Sequence, residues 1–105
     1  MKIQVNTDSQ TEATAVLTKQ VQILVEDKLG RFADRITRVE VHLTDENSHG
    51  KSGGSDKRCL IEVRLAGMQP ITVSDHDASH DQALRGAATK MRSMLESTLG
   101  KREAH

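Results

Sequence analysis

The chain has 105 residues and carries equal numbers of acidic and basic side chains, fifteen of each. This length predicts one domain with one hydrophobic core. The composition excludes two classes of protein. With Phe32 as its only aromatic residue, the chain has no set of rings on which single-stranded bases could stack. No stretch approaches the roughly 20 apolar residues needed to cross a bilayer. Because the net charge is zero, any affinity for nucleic acid must come from local charge asymmetry.

The N-terminal third predicts a strand followed by a helix. Residues 1–7 alternate polar and apolar side chains, which is the pattern of a half-buried strand with Ile3 and Val5 inward. Ser9 and Glu12 match a capping box and predict a helix over about residues 10–29. Gly30 is predicted to end this helix in the left-handed conformation. The predicted apolar stripe consists of Ala13, Val16, Leu17, Val21, Leu24 and Val25.

Three further strands are predicted in the middle of the chain. Strict alternation over about residues 36–45 and 58–66 directs one apolar set inward: Val39, Val41, Leu43, Cys59, Ile61, Val63 and Leu65. The lone Cys59 cannot form an intramolecular disulfide and is expected to be buried, which fits a reducing cytoplasm. Residues 45–57 contain no apolar side chain and three glycines, so a flexible loop is predicted there. A fourth strand follows Gly67-Met68, and Pro70 favours an edge position for it.

The C-terminal segment predicts a second helix. Ser79 and Gln82 form a second capping box, and Gly100 is predicted to end the helix. Its apolar stripe is expected to contain Leu84, Ala87, Ala88, Met91, Met94 and Leu95. The element order is therefore β-α-β-β-β-α. A parallel pair of strands one and two, followed by a meander, predicts an α+β two-layer sandwich with both helices on the one apolar face of a four-stranded sheet.

Two groups of basic residues are candidates for an RNA-binding surface. Along helix two, Arg85 and Arg92 flank one edge of the apolar stripe, while Lys90 and Lys101 flank the other. The small residues between these cations would allow close approach to a phosphate backbone: Gly86, Thr89, Ser93 and Ser97. The second group lies where helix one meets strand two. The candidate RNA-contacting residues are Lys28, Arg31, Arg35, Arg38, Arg85, Lys90, Arg92, Lys101 and Arg102. An ordinary solvated helix face, with cations near a helix C-terminus, accounts for the same pattern.

Two segments carry a resemblance to a known family. The first begins with Lys28-Leu29, continues through Asp34-Arg35-Ile36 and leads into Val39-Glu40-Val41. The second is Gly86-Ala87-Ala88-Thr89-Lys90-Met91. In order and spacing they resemble the hibernation-promoting factor and ribosome-associated inhibitor family, also labelled sigma-54 modulation or S30EA-like proteins, in its short form. The resemblance covers nearly the whole chain. On it, Lys28 and Lys90 match basic family positions, whereas Arg31, Arg35, Arg85 and Arg92 are proposed from charge and geometry.

The resemblance implies a double-stranded-RNA-binding-like fold lodged in the small ribosomal subunit, where messenger and transfer RNAs bind. Translation would then be blocked by occupancy of the rRNA surface during stasis, without bond-breaking chemistry. A monomer is favoured, with no membrane partner and no small-molecule substrate. The alternative function is a protein-interaction module of the same fold that has lost ribosome binding and uses its acidic loop and exposed sheet face.

No catalytic site, metal site or cofactor is expected. The chain lacks a nucleophile elbow, a phosphate-binding glycine loop and a clustered acid/base pair. His76 and His80 are four residues apart, the spacing of metal ligands on one helical face. However, Ser79 is predicted to cap the helix between them, and Cys59 adds no recognisable zinc spacing.

Overall fold

In the computed structural model, residues 1–9, 11–46 and 56–103 are described, residues 101–103 by their backbone alone. The elements are, in chain order, strand β1 (Lys2–Thr7), helix α1 (Ala15–Leu29), a 3₁₀ turn (Gly30–Phe32), strands β2 (Ile36–Asp45), β3 (Lys57–Leu65) and β4 (Ile71–Asp77), and helix α2 (His80–Glu103).

The four strands form one sheet in the order β1-β2-β3-β4. β1 pairs with β2 in parallel, with Ile3 beside Val39. β2 and β3 are antiparallel, with Val41 opposite Ile61, and β3 and β4 are antiparallel, with Ile61 opposite Val73. β4 lies at an edge, as Pro70 predicts. The predicted order, strand pairing and α+β fold class are confirmed.

The core lies between the sheet and the two helices. The inward side chains of β2 and β3 are buried, including Cys59 and Ile61, each with no exposed surface. A shift of the β2–β3 register between Ile36 and Arg38 allows Ile36 to be buried as well as Val39, although the two lie an odd number of residues apart. From the helices the core takes Val21, Val25, Leu29, Ala83, Ala87, Met91, Leu95 and Leu99, among others.

The predicted start of helix one is wrong. α1 begins at Ala15, and its N-cap is Thr14, whose hydroxyl oxygen accepts a hydrogen bond from the Leu17 backbone N–H at 3.0 Å. Ser9 therefore does not cap the helix. As a result, Ala13 precedes the helix and is exposed. Val16 is also solvent-facing, with 68% of its surface exposed.

The predicted end of helix one is confirmed, since α1 ends at Leu29 with Gly30 as its C-cap. The left-handed conformation predicted for Gly30 and the helix stop predicted at Gly100 are wrong. Gly30 has a right-handed backbone, φ −59° and ψ −32°, and leads directly into the 3₁₀ turn. α2 continues through Gly100 to Glu103. Met94 belongs to the exposed side of α2 rather than to its buried stripe. In the part of the chain that the structure describes, Gly67 is the one residue with a positive φ, 73°, and it lies in the connection between β3 and β4.

The predicted loop of residues 45–57 is shorter at both ends. Asp45 is the last residue of β2 and Lys57 the first of β3, and their side chains form an ion pair at 2.7 Å across the two strands. The predicted flexibility concerns residues 47–55, which lie outside the described residues. Among the described segments, no helix has the length and apolar character needed to cross a membrane.

Candidate nucleic-acid interface

The structure distributes the predicted cations over four regions, one of which, with Lys28 and Arg85, lies along the line where α1 and α2 meet. Arg31 and Arg92 come together where the end of α1 meets the C-terminal half of α2. Lys90 lies on the opposite edge of α2, against β4. Arg38 lies on the sheet face turned away from the helices, because its neighbour Val39 points into the core. Lys101 and Arg102 belong to the last turn of α2, and their side chains lie outside the described residues.

Arg31 and Arg92 meet at a shared carboxylate, Glu96. The Arg92 Nε donates to Glu96 Oε1 at 3.1 Å, and the Arg31 Nη1 lies 3.5 Å from the same oxygen. Arg31 also stacks on Phe32, with its guanidinium carbon 5.0 Å from the ring centroid. These two arginines are sixty-one positions apart in the chain, so their proximity is a product of the fold. We call Arg31, Arg92 and Glu96 the Glu96 cluster.

A cavity of about 240 Å³ lies beside this cluster. Arg31 and Glu96 line it, together with Arg35, which follows the 3₁₀ turn. The rest of the lining is Phe32, Leu99 and Gly100. Three predicted RNA-contacting residues, Arg31, Arg35 and Arg92, are thus gathered at one end of the molecule.

Lys28 and Arg85 lie along the line where α1 and α2 meet. Lys28 is half-buried in the last turn of α1, one helical turn after the buried Leu24. Leu24 and Arg85 line a cavity of about 340 Å³ between the two helices. Within that cavity Arg85 Nε donates to Asp81 Oδ2 at 3.0 Å. Asp81 of the same helix therefore balances the charge of Arg85.

Lys90 holds α2 against β4. Its Nζ donates to the backbone oxygen of Ser74 at 3.0 Å and lies 3.3 Å from Asp75 Oδ1. One turn earlier, Gly86 packs against the Asp75 side chain. The sequence-based role of Gly86, to let a phosphate backbone approach, is wrong at this position because the glycine instead admits Asp75.

Arg38 belongs to an ion-pair network on the open sheet face. Glu40 Oε2 lies 3.3 Å from Arg38 Nε and 3.9 Å from Arg64 Nε. Arg38 also donates to the side-chain oxygen of Gln4 on β1. Lys2 and Arg64 occupy the positions beside Arg38 on the neighbouring strands. The four cations predicted at the junction of helix one and strand two are therefore divided between opposite faces of the protein: Lys28, Arg31 and Arg35 lie on one side and Arg38 on the other.

The opposite end of the sheet is acidic, with Asp8, Asp45, Glu46, Asp56 and Asp77 close to the ends of the strands. A hydrogen bond from Lys57 to Asp45 raises the pKa of the lysine. At the first residue of α2, burial lowers the pKa of His80, and the positive charge of Lys57 lowers it further. His80 Nε2 lies 3.4 Å from the hydroxyl of Thr11, a buried residue.

Three residues could attract a chemical interpretation, namely Cys59, His76 and His80. Burial raises the pKa of the Cys59 thiol to about 12, so it is protonated at neutral pH, as a buried apolar side chain would be. His76 is in β4 and pairs with Glu46 at 2.7 Å, whereas His80 begins α2, so the two histidines do not share a helical face. Within the described residues, no group of three potential metal ligands is present.

Sequence reasoning missed the part that Glu96 plays. A signal was available, since Arg92 and Glu96 have the i, i+4 spacing that pairs opposite charges on a helix. The partner from outside the helix, Arg31, had no such signal. The cross-strand neighbours Lys2 and Arg64 were missed for a similar reason, because their proximity to Arg38 depends on strand register.

A family sequence model described as sigma 54 modulation protein / S30EA ribosomal protein matches residues 5–103. Among solved structures, the chain is similar to the N-terminal domain of Thermus thermophilus Protein Y, with a TM-score of 0.72 and 23% identity over 92% of this chain and 98% of that one. It is also similar to a ribosomal subunit interface protein from Coxiella burnetii, with a TM-score of 0.69 and 18% identity over the full length of both chains. No curated protein sequence matches the chain significantly.

Proposed function

The chain belongs to the sigma 54 modulation protein / S30EA ribosomal protein family, and from this premise we propose that it is a ribosome-associated translation regulator. It binds rRNA of the small subunit and, during stasis, occupies the place of messenger and transfer RNA. The family match over residues 5–103 supports ribosome association. So does the shared fold with a ribosomal subunit interface protein.

The observation that carries the RNA-binding site is the convergence of Arg31, Arg35 and Arg92 beside one cavity. Guanidinium groups bind phosphate oxygens through two parallel N–H donors, and phosphate contacts supply most of the sequence-independent affinity for nucleic acid. Lys28 lies in the last turn of α1, just before the 3₁₀ turn that carries Arg31, and is a fourth candidate cation of this surface. The mechanism is exclusion by occupancy and requires no bond to be made or broken.

A ribosome-pelleting experiment tests this proposal. The protein is sedimented with purified ribosomes at low and moderate salt, beside an R31A/R35A/R92A variant. We expect the wild type to pellet and the variant to lose about tenfold or more in affinity, because up to three phosphate contacts are removed. A K2A/K19A/R58A variant, which loses the same net charge away from the Glu96 cluster, should still pellet.

Each outcome of this experiment has a distinct meaning. If the wild type fails to pellet at low salt, ribosome association itself is wrong. If R31A/R35A/R92A pellets as well as the wild type, ribosome binding stands but this surface is not the interface. Circular dichroism of both variants checks whether the substitutions have left the fold intact.

A second candidate function is the protein-interaction module. The observation in its favour is the pairing of Arg31, Arg85 and Arg92 with acids of the same chain, since paired cations offer less charge to RNA. On this alternative, a protein partner remains bound in a lysate treated with ribonuclease. Loss of all binding after that treatment would contradict it.

A further inference from the structure

One carboxylate oxygen of Glu96 lies between two arginines that come from different parts of the fold. Arg92 approaches it from one turn earlier on α2, at 3.1 Å, and Arg31 approaches from the 3₁₀ turn, at 3.5 Å. Glu96 is therefore more than the second member of an i, i+4 pair. It is the anion at the centre of a site that α2 and the 3₁₀ turn form together.

The local charge balance leaves this site cationic. Two guanidinium groups, those of Arg31 and Arg92, share the one carboxylate of Glu96. Arg35 lines the adjoining cavity. A carboxylate and a phosphate present the same kind of oxygen acceptors to arginine, but a phosphate has more of them and carries more negative charge. The adjoining cavity of about 240 Å³ leaves room beside Glu96 for a phosphate group.

The ion pairs of the cluster are also exposed enough to exchange. The side chains of Arg31 and Glu96 are 62% and 44% exposed, and exposed ion pairs contribute little to stability. Glu96 can therefore rotate away from the arginines at low cost. While it remains, its negative charge opposes the entry of another anion.

We propose that Glu96 occupies the position of an RNA phosphate between Arg31 and Arg92 and acts as an internal competitor that limits the affinity of this site for RNA. The RNA part of this inference rests on the proposed function. The anion site itself rests only on the geometry of the Glu96 cluster.

The first test measures the affinity for purified small ribosomal subunits at moderate salt. E96Q removes the charge and keeps the size of the side chain, so we expect binding about three- to tenfold tighter than that of the wild type, as for a weak competing ion pair. E26Q is the matched control, since it makes the same chemical change at an exposed position of α1, and it should change the affinity by less than about twofold. In an R31A/R92A background, E96Q should give no gain.

The second test needs no ribosome. The melting temperatures of wild type and E96Q are compared in sodium phosphate and in sodium chloride of equal ionic strength. We expect phosphate to stabilise E96Q more than the wild type, and expect R31A/R92A/E96Q to lose that difference. This readout reports binding of inorganic phosphate to the folded site.

The two tests separate the two proposals. If phosphate selectively stabilises E96Q but no variant binds the small subunit, the anion site stands and the ribosomal function is wrong. If the wild type binds subunits but E96Q neither binds more tightly nor responds to phosphate, the inference about Glu96 is overturned. A gain in E96Q that persists without Arg31 and Arg92 would also overturn it.

Discussion

The contact between Gly86 and Asp75 sets how closely α2 packs against β4. A Cβ built on Gly86 would lie 1.8 Å from Asp75 Oδ2 and 2.9 Å from its Cγ, so no larger residue fits while Asp75 keeps its position. Asp75 in turn pairs with Lys90, one turn farther along α2. A glycine in mid-helix costs helix stability, and here the close approach explains its presence.

A double-mutant cycle at these two positions tests this explanation. G86A in the wild type should lower the free energy of unfolding by about 1 kcal/mol, because the steric cost exceeds the gain in helix propensity. In a D75A background the clash is removed, so G86A should raise the free energy of unfolding by about 0.5–1 kcal/mol. Urea denaturation of the four proteins gives both values. The same effect of G86A in both backgrounds would show that Asp75 is not the obstacle.

Lys90 shows how one residue can serve the fold while matching a functional pattern. It resembles a basic family position, yet its Nζ contacts Ser74 and Asp75 of the neighbouring strand. Its side chain remains about half exposed. Replacing Lys90 by alanine would therefore remove a candidate RNA contact and also a contact between α2 and β4. For that reason Lys90 is kept in the variants of the pelleting experiment.

At the scale of secondary structure, the described residues between β1 and α1 are not helical, because they are tied to other elements. Asp8 accepts a hydrogen bond from the backbone N–H of Asp45 at the end of β2. Thr11 is buried and contacts His80 at the start of α2. These contacts join residues that are far apart in the sequence. Tertiary structure therefore prevents Ser9 from starting a helix through a capping box.

The N-cap of α1 can be tested directly. T14A should lower the free energy of unfolding by about 1 kcal/mol, since the hydroxyl that accepts the Leu17 N–H is lost. S9A, at an exposed position before the helix, should change it by less than about 0.5 kcal/mol. Thermal and urea denaturation measure both. A larger effect for S9A than for T14A would restore the capping box at Ser9.

The left-handed conformation predicted for Gly30 and the helix stop predicted at Gly100 failed because a buried side chain lies close to each glycine. Phe32 is 7% exposed, and the right-handed 3₁₀ turn through Gly30 carries it into the core. Leu99 is 1% exposed and immediately precedes Gly100. A left-handed glycine at either position would redirect the chain, so burial of the neighbouring side chain decides the backbone conformation.

At the scale of the whole molecule, zero net charge conceals an uneven charge distribution. The acidic residues Asp45, Asp56 and Asp77 lie at one end of the sheet, and the Glu96 cluster lies at the other. The ten residues of β2 separate these ends by roughly 30 Å. Both helices begin at the acidic end and finish at the basic one. Asp81 in the first turn of α2 and Lys28 in the last turn of α1 also complement the helix dipoles.

This distribution predicts how ribosome binding depends on salt. If Lys28, Arg31, Arg35 and Arg92 each contact a phosphate, the logarithm of the binding constant should fall with the logarithm of salt concentration with a slope of roughly −3. The slope is measured by pelleting or fluorescence titration at several salt concentrations. The protein-interaction alternative predicts no binding to ribosomes at any of these salt concentrations. For R31A/R35A/R92A the slope should be shallower than for the wild type.

The sequence by itself determined the sheet, the order of the elements and the start of α2. Alternation of side chains along a strand is a local property, and Ser79 does cap α2, accepting the Gln82 N–H at 3.1 Å. Family membership was equally accessible, because it depends on the order and spacing of short segments.

Only the tertiary structure decided which cations meet. It placed Arg31 beside Arg92, turned Arg38 to the sheet face away from the helices, and brought Lys90 into contact with β4. These relations join residues that are far apart in the chain, and they depend on helix packing and strand register. A local pattern carries no information about either. The sequence therefore predicted a basic surface, and the fold selected the residues that compose it.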